Sequence, residues 1–124
     1  MTLVVEAYGA QDPQLAADLF SNDAVYEDMA LHAQLLGKLA IKRYLTRALP
    51  KVPYGPGASV AHVVGSDLGG GCEWRAAPGA PQKRGNTALA LDGQGRITRL
   101  TVVYDSSLFS DGDYRALVSL AGEG

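Results

Sequence analysis

The stretch that decides the fold is Leu-Phe-Ser-Asn-Asp-Ala-Val-Tyr-Glu-Asp, residues 19–28. Its first two residues end an apolar helical stripe that Asp12-Pro13 opens, because Asp is a favoured N-cap and Pro fits the first helical position. Residues 21–23 predict a turn that ends this helix. Residues 24–28 then predict a short strand, in which alternate side chains face opposite sides.

Further along the chain, the apolar period predicts a helix over residues 37–49, which Pro50 ends. The region after it is typical of antiparallel strands, which we predict at residues 59–65, 72–77, 84–91 and 96–105. Gly-rich turns join them, the first over residues 66–71. Capping-box spacing from Ser110 predicts a short last helix. Helices followed by a run of strands predict an α+β fold.

Composition narrows the class of protein. The 124 residues fit one domain, residues 1–124, and the net charge of -2 provides no basic field for a nucleic acid. No apolar run reaches the ~20 residues that cross a bilayer, and the N-terminus lacks the pattern of a signal peptide. Cys72 is the only cysteine, so no internal disulfide can form. We therefore expect a cytoplasmic protein that binds neither nucleic acid nor membrane.

Three segments carry a family resemblance: residues 19–28, the helix start at 37–44, and the hairpin Leu-Asp-Gly-Gln-Gly-Arg-Ile at 91–97. Together they resemble the nuclear transport factor 2-like superfamily, which includes ketosteroid isomerases and SnoaL-like polyketide cyclases. The resemblance implies a cone-like, curved antiparallel (mixed) sheet wrapped around N-terminal helices. It also implies a cofactor-independent domain and a homodimer through the open sheet face, where Thr101 and Val103 lie at outer positions.

The resemblance gives the candidate catalytic residues mixed support. Asp28 falls where the isomerases keep their general base, and burial in an apolar pocket would raise its pKa toward neutrality. The two oxyanion-hole positions read Val4 and Thr87, and valine donates no hydrogen bond. This pattern argues against a standard ketosteroid isomerase. Asp105, near the inward Asp of the cyclases, is expected to point outward or to lie past the strand end.

Period-2 alternation predicts a small-molecule pocket with polar tips on the inner face of the sheet. The candidate lining residues are Tyr26, Trp74, Thr87, Leu89, Leu100, Val102 and Tyr104, with His32 in the loop after Asp28 as a gate or proton partner. The alternative is that these side chains simply fill the core. No cluster of Cys, His and Asp has the spacing of metal ligands, so we expect no metal.

Two hypotheses follow. The first is a SnoaL-like enzyme of isomerase or cyclase type that acts on a small apolar molecule, with Asp28 moving a proton and with Tyr26 and Thr87 as neutral hydrogen-bond donors. The second is a non-catalytic ligand-binding or dimerisation module that has kept the fold and lost the donors.

Overall fold

A computed structural model describes residues 13–48, 51, 58–79, 83–105 and 109–123. Within these ranges the elements are α1 (Pro13–Asp18), β1 (Phe20–Asp28), β2 (Ala33–Leu36), α2 (Lys38–Ala48), β3 (Ser59–Ser66), β4 (Gly69–Arg75), β5 (Arg84–Leu91), β6 (Ile97–Val103) and α3 (Asp111–Glu123). The apolar stretch over residues 3–8, which is compatible with one or two helical turns, and Leu49 of the predicted helix both lie outside the described residues.

The six strands form one sheet in the order β2-β1-β6-β5-β4-β3. β1 and β6 run parallel, and every other neighbouring pair is antiparallel. The sheet is curved and does not close into a barrel, and α2 contacts β1 and β2 while α3 contacts β2. The predicted α+β class and the curved mixed sheet are confirmed.

The helices cover one face of the sheet, which we call the inner face. α2 buries a stripe at the spacing that the sequence predicts: Ala40, Ile41, Tyr44, Leu45 and Ala48. This stripe packs with Tyr26, Trp74, Leu100 and Val102 of the strands into one apolar core. Burial of such side chains contributes roughly 1.5–3 kcal/mol each relative to exposure, so this shared core supplies most of the stabilisation of the fold.

The predicted turn at residues 21–23 is wrong, because those residues lie within β1. Phe20 already pairs with Ile97 of β6, whose N–H donates to the Leu19 carbonyl at 2.8 Å. The register shifts between Phe20 and Val25, which accommodates the polar residues in an irregular strand. Pairing with β6 therefore overrides the local preference of Ser, Asn and Asp for turns.

The turn predicted over residues 66–71 is also too long. Gly69 already pairs with Ser66 and Ala90, so β4 begins inside the glycine run. A Cβ on Gly69 would lie 2.3 Å from the Leu89 carbonyl oxygen, and one on Gly70 would lie 2.3 Å from the Val64 carbonyl oxygen. The glycines thus allow three strands to approach closely. Because glycine also favours turns, the sequence alone does not reveal this role.

The hairpin between β5 and β6 forms where the sequence predicts it. The Asp92 carboxylate accepts the backbone N–H groups of Gln94 at 2.8 Å and Arg96 at 3.0 Å. These two bonds lower the pKa of Asp92 below its usual value, and the bond from Arg96 has the larger effect. The last helix also begins as predicted, since Ser110 Oγ accepts the N–H of Asp113 at 3.1 Å.

Candidate functional site

Strand pairing aligns the predicted site residues in two rows across the inner face. The first, the Asp28 row, contains Asp28, Val102, Thr87, Cys72 and Val63. The second, the Tyr26 row, contains Tyr26, Leu100, Leu89, Gly70 and Gly65. Because directly paired residues share a face of a sheet, each row lies on one side. The side chains predicted for the inner face on β1, β4, β5 and β6 are therefore brought together.

Asp28 ends β1 and is completely buried, with 0% of its surface exposed. Its Oδ1 accepts the backbone N–H of Leu31 at 3.1 Å, and its Oδ2 accepts the phenol O–H of Tyr104 at 2.8 Å. A buried carboxyl group is costly unless such donors compensate for the lost water. The two bonds therefore hold the carboxyl in one orientation in an apolar interior.

The turn after Asp28 provides one of these donors. His32 occupies the left-handed region with φ 54°, and its N–H donates to the Met29 carbonyl at 3.3 Å. This tight turn brings the Leu31 N–H back to the carboxylate. The His32 side chain itself is exposed at the surface, and its proposed role as a gate or proton partner stays a prediction.

Tyr104 lies just past the end of β6 and connects Asp28 to an aromatic wall. Its ring meets Trp74 at a centroid distance of 6.0 Å and Phe109 edge-on at 5.8 Å. Burial, followed by the nearby Asp28 charge, raises the pKa of Tyr104 far above its ordinary value. The phenol is therefore a proton-bearing donor to Asp28 throughout the physiological range.

Trp74 occupies a fixed position over the next strand. Its indole Nε1–H donates to Thr87 Oγ1 at 3.1 Å. A Cβ on Gly85 would lie 2.2 Å from Cζ2 of this ring, so the indole lies directly on the bare backbone of β5. Both Trp74 and Thr87 are buried, which places this hydrogen bond in the core beside the Asp28 row.

A hollow of about 290 Å³ opens at the hairpin end of the same face. Its lining includes Val63, Leu89 and Leu91, and it forms where Gly65 and Gly70 contribute no side chains. Val63 lies at the end of the Asp28 row, so the hollow adjoins that row.

Several other candidate residues lie elsewhere. Asp105 is exposed beyond the end of β6, in agreement with its predicted position, and Val4 lies outside the described residues.

Burial raises the pKa of the Cys72 thiol above its usual value, which disfavours the reactive thiolate. Among residues 13–48, 51, 58–79, 83–105 and 109–123, no three His, Cys, Asp or Glu side chains are grouped to hold a metal ion.

The sequence did not indicate a second concavity, on the outer face of the sheet. This outer groove has a volume of about 700 Å³, and the residues of the outer rows that line it are Met29, His62, Val64, Gly71, Glu73, Asn86, Ala88, Thr101 and Val103. Val63, Cys72 and Thr87 of the Asp28 row also border it. Gly71 and Ala88 are neighbours in the middle of one outer row, between Val64 and Thr101. The small central residues between larger ones account for the depression, which only the strand register reveals.

Similarly, no sequence signal placed Phe109 against Tyr104, because the contact depends on the path of the chain after β6.

Comparison with solved structures identifies the fold. The chain matches a SnoaL-like protein of unknown function from Burkholderia thailandensis (TM-score 0.68, 14% identity, 82% of this chain and 88% of that one). It also matches a protein of ketosteroid isomerase-like fold from Catenulispora acidiphila in complex with trimethylamine (0.66, 20%, 84% and 83%). A candidate polyketide cyclase from Sinorhizobium meliloti gives similar values (0.64, 22%, 82% and 90%).

The chain thus has the nuclear transport factor 2-like fold, in agreement with the resemblance seen in its sequence. No family model and no curated protein matches it. In the described part of the chain, no helix is long and apolar enough to cross a membrane. At these levels of identity the matches define the fold, and the chemistry has to be argued from the site.

Proposed function

We propose that this SnoaL-like domain binds a small apolar molecule on the inner face of its sheet and that Asp28 moves a proton on that molecule. The observation that carries the proposal is a completely buried carboxyl group beside aromatic side chains, oriented by Tyr104 and by the Leu31 N–H. Titratable groups placed in this way are typical of acid–base sites. The trimethylamine complex of the Catenulispora protein lends support to a small-molecule site in this fold.

The proposed step is a proton transfer without a cofactor. The Asp28 carboxylate accepts a proton from a carbon atom of the ligand, and the electron pair of the broken C–H bond stays on the ligand. Return of that proton to a different carbon completes an isomerisation. Proton transfer by a positioned side chain contributes typically 10²–10⁴-fold in rate.

The first experiment is native mass spectrometry of the purified protein, compared with the same sample after denaturation. We expect a small apolar molecule that is lost on denaturation. The identified molecule is then incubated with the protein in D₂O, and deuterium incorporation at carbon is followed by NMR. An empty protein that also fails to bind apolar compounds would overturn the proposed pocket.

Asp28→Asn tests the proton transfer itself. Asparagine keeps one oxygen that accepts the Leu31 N–H, and its amide N–H can donate to the Tyr104 oxygen, so both contacts are kept while the base is removed. We expect deuterium incorporation to fall by roughly a hundredfold or more. Glu27→Gln is the matched control, because Glu27 is the next carboxyl group along the strand and pairs with Arg99 on the outer face at 3.0 Å. Unchanged incorporation in Asp28→Asn would assign Asp28 a purely structural role.

The second candidate function is a dimerisation module, and the outer groove is the observation that favours it. Val64, Met29 and Val103 expose apolar side chains around this groove. Monomeric proteins seldom leave large contiguous apolar patches exposed. We propose that a second copy of the chain covers this face, whether or not the inner face is catalytic.

A further inference from the structure

Helix α2 has a basic face on the side opposite to the one that it buries in the core. Five residues repeat along this side at helical spacing and line a hollow of about 370 Å³: Leu39, Lys42, Arg43, Thr46 and Arg47. All five are exposed, and Leu39 leaves 76% of its surface in solvent. We call these five residues the basic face.

The charges of α2 all have the same sign. The helix contains no Asp or Glu, and Lys38 precedes the three basic residues of the basic face. Lys38 and Lys42 are four positions apart, as are Arg43 and Arg47, and like charges at this spacing destabilise a helix. Lys38 also lies in the first turn, where the helix dipole favours acidic residues. Most of these charges are therefore not placed to stabilise the helix itself.

Lys42 and Arg43 differ from the basic side chains on the outer face of the sheet, which have acidic partners. Arg99 pairs with Glu27 at 3.0 Å, and Arg84 lies 3.8 Å from Glu73. In the part of the chain that the structure describes, neither Lys42 nor Arg43 forms an ion pair. Two exposed cations next to an exposed leucine are thus accessible to another molecule.

The charge of the rest of the chain decides which kind of partner fits. Residues outside α2 include seven of the 11 Lys and Arg but all 13 of the Asp and Glu. A long polyanion or a flat anionic membrane extends past the helix, and this excess of negative charge repels it. The basic face runs for only about 12 Å, at 1.5 Å per residue from Leu39 to Arg47. A compact acidic protein can contact a patch of that length alone.

We propose that the basic face of α2 docks an acidic protein partner. Asp and Glu side chains of the partner meet Lys42, Arg43 and Arg47, and an apolar side chain beside them covers Leu39. Protein interfaces commonly combine apolar contact with a polar rim. Opposite charges bring the two proteins together and fix their orientation, so the contact weakens in salt. The proposal does not depend on the inner face, because α2 turns its other side to the core.

The test uses two fluorescein-labelled peptides of the same amphipathic design. The first has two copies of the sequence Glu-Leu-Leu-Glu-Ala-Leu-Glu, and the second has Gln in place of every Glu. Binding to the wild-type protein is followed by fluorescence anisotropy. We expect the acidic peptide to bind about tenfold more tightly than the neutral one, because several modest charge pairs act together. Raising the NaCl concentration from about 20 mM to about 200 mM should narrow this difference, because salt screens exposed charges.

Lys42→Gln/Arg43→Gln locates the contact. Affinity for the acidic peptide should fall about tenfold, and affinity for the neutral peptide should not change. Because Gln is as good a helix former as Lys and the like charges are relieved, this variant should unfold at the same or a higher urea concentration than the wild type. A structural role of the two side chains would instead lower stability together with binding. Lys83→Gln/Arg115→Gln is the matched control, since it removes two exposed positive charges outside the basic face and should bind as the wild type does.

Leu39→Ala tests the apolar part of the contact. We expect both peptides to bind about threefold more weakly, because part of a leucine side chain is no longer covered. Leu68→Ala is the matched control: Leu68 is 81% exposed in the turn between β3 and β4, and its replacement should leave binding unchanged.

Other results would overturn the proposal. Failure of the acidic peptide to bind, or equal binding of the two peptides, would show that the basic face does not select acidic partners. Equal losses in the two double variants would reduce the effect to net charge. Binding of phosphatidylserine vesicles but not of the acidic peptide would assign the face to a membrane. A light-scattering mass that falls in Lys42→Gln/Arg43→Gln would place a second copy of the chain on it.

Discussion

At the scale of single residues, the site depends on two hydrogen bonds between groups distant in sequence. Tyr104 reaches Asp28 across 76 positions, and Trp74 reaches Thr87 across 13. Alternation along each strand predicts which face these side chains occupy, and family resemblance selects Asp28. Neither predicts which side chain donates a hydrogen bond to which acceptor, because that depends on the register between strands and on the short turn that ends in His32.

The Tyr104 bond makes a prediction about alkaline stability. The pKa of this phenol is raised in the folded protein by burial and by Asp28, whereas an unfolded tyrosine titrates near pH 10. The folded state therefore holds the proton more tightly than the unfolded state. The resulting stabilisation is complete below about pH 10 and is lost as the pH rises further, by up to about 1.4 kcal/mol per pH unit.

Tyr104→Phe tests this dependence. At pH 7 the variant should be about 1–3 kcal/mol less stable than the wild type, because Asp28 loses a donor in a buried site. The difference should narrow between pH 10 and 11, since phenylalanine has no proton to lose. Urea unfolding at pH 7 and at pH 10.5 measures both values. Parallel behaviour of the two proteins over this range would contradict the argument.

At the scale of elements, the strands follow from the sequence better than their ends do. The strand at residues 84–91 has the predicted bounds, because alternating side chains and a clear hairpin turn define it. β2 was not predicted, since Ala-Gln-Leu-Leu lacks the β-branched residues that signal a strand and forms through pairing with β1. Gly69 was assigned to a turn because close approach of backbones leaves no local signal.

The packing of Trp74 on Gly85 gives a prediction at this scale. Gly85→Ala places a methyl group 2.2 Å from the indole ring, so the ring must move and its bond to Thr87 is strained. Overpacking of this kind costs typically 1–3 kcal/mol. Gly93→Ala is the matched control, because nothing lies within 4 Å of a Cβ at that position. Equal urea midpoints for the two variants would show that the indole yields without cost.

At the scale of the whole molecule, the two faces of the sheet differ in character. The inner face is covered by helices and contains the buried Asp28, whereas the outer groove leaves Val64 at 74% exposure. The sequence predicted which residues face outward, including Thr101 and Val103. It could not predict the groove, whose depth comes from Gly71 and Ala88 lying side by side in adjacent strands.

Charges around the outer groove suit contact with a second copy of the chain. Glu27 pairs with Arg99 at 3.0 Å, and Glu73 lies 3.8 Å from Arg84. Each pair supplies one acid and one base on the outer side of the sheet. A two-fold axis brings the same patch together from both copies, so acids and bases can face each other around an apolar centre.

The proposed dimer can be tested by size-exclusion chromatography with light scattering. We expect a mass twice the 13.0 kDa of one chain at micromolar concentration. Val64→Glu should give a monomer, because an unpaired charge that is buried in an interface costs far more than the contact contributes. Leu68→Glu is the matched control: Leu68 is 81% exposed, in the turn between β3 and β4, and is not part of the groove lining. A wild-type mass of 13.0 kDa, or equal dissociation by both variants, would refute this interface.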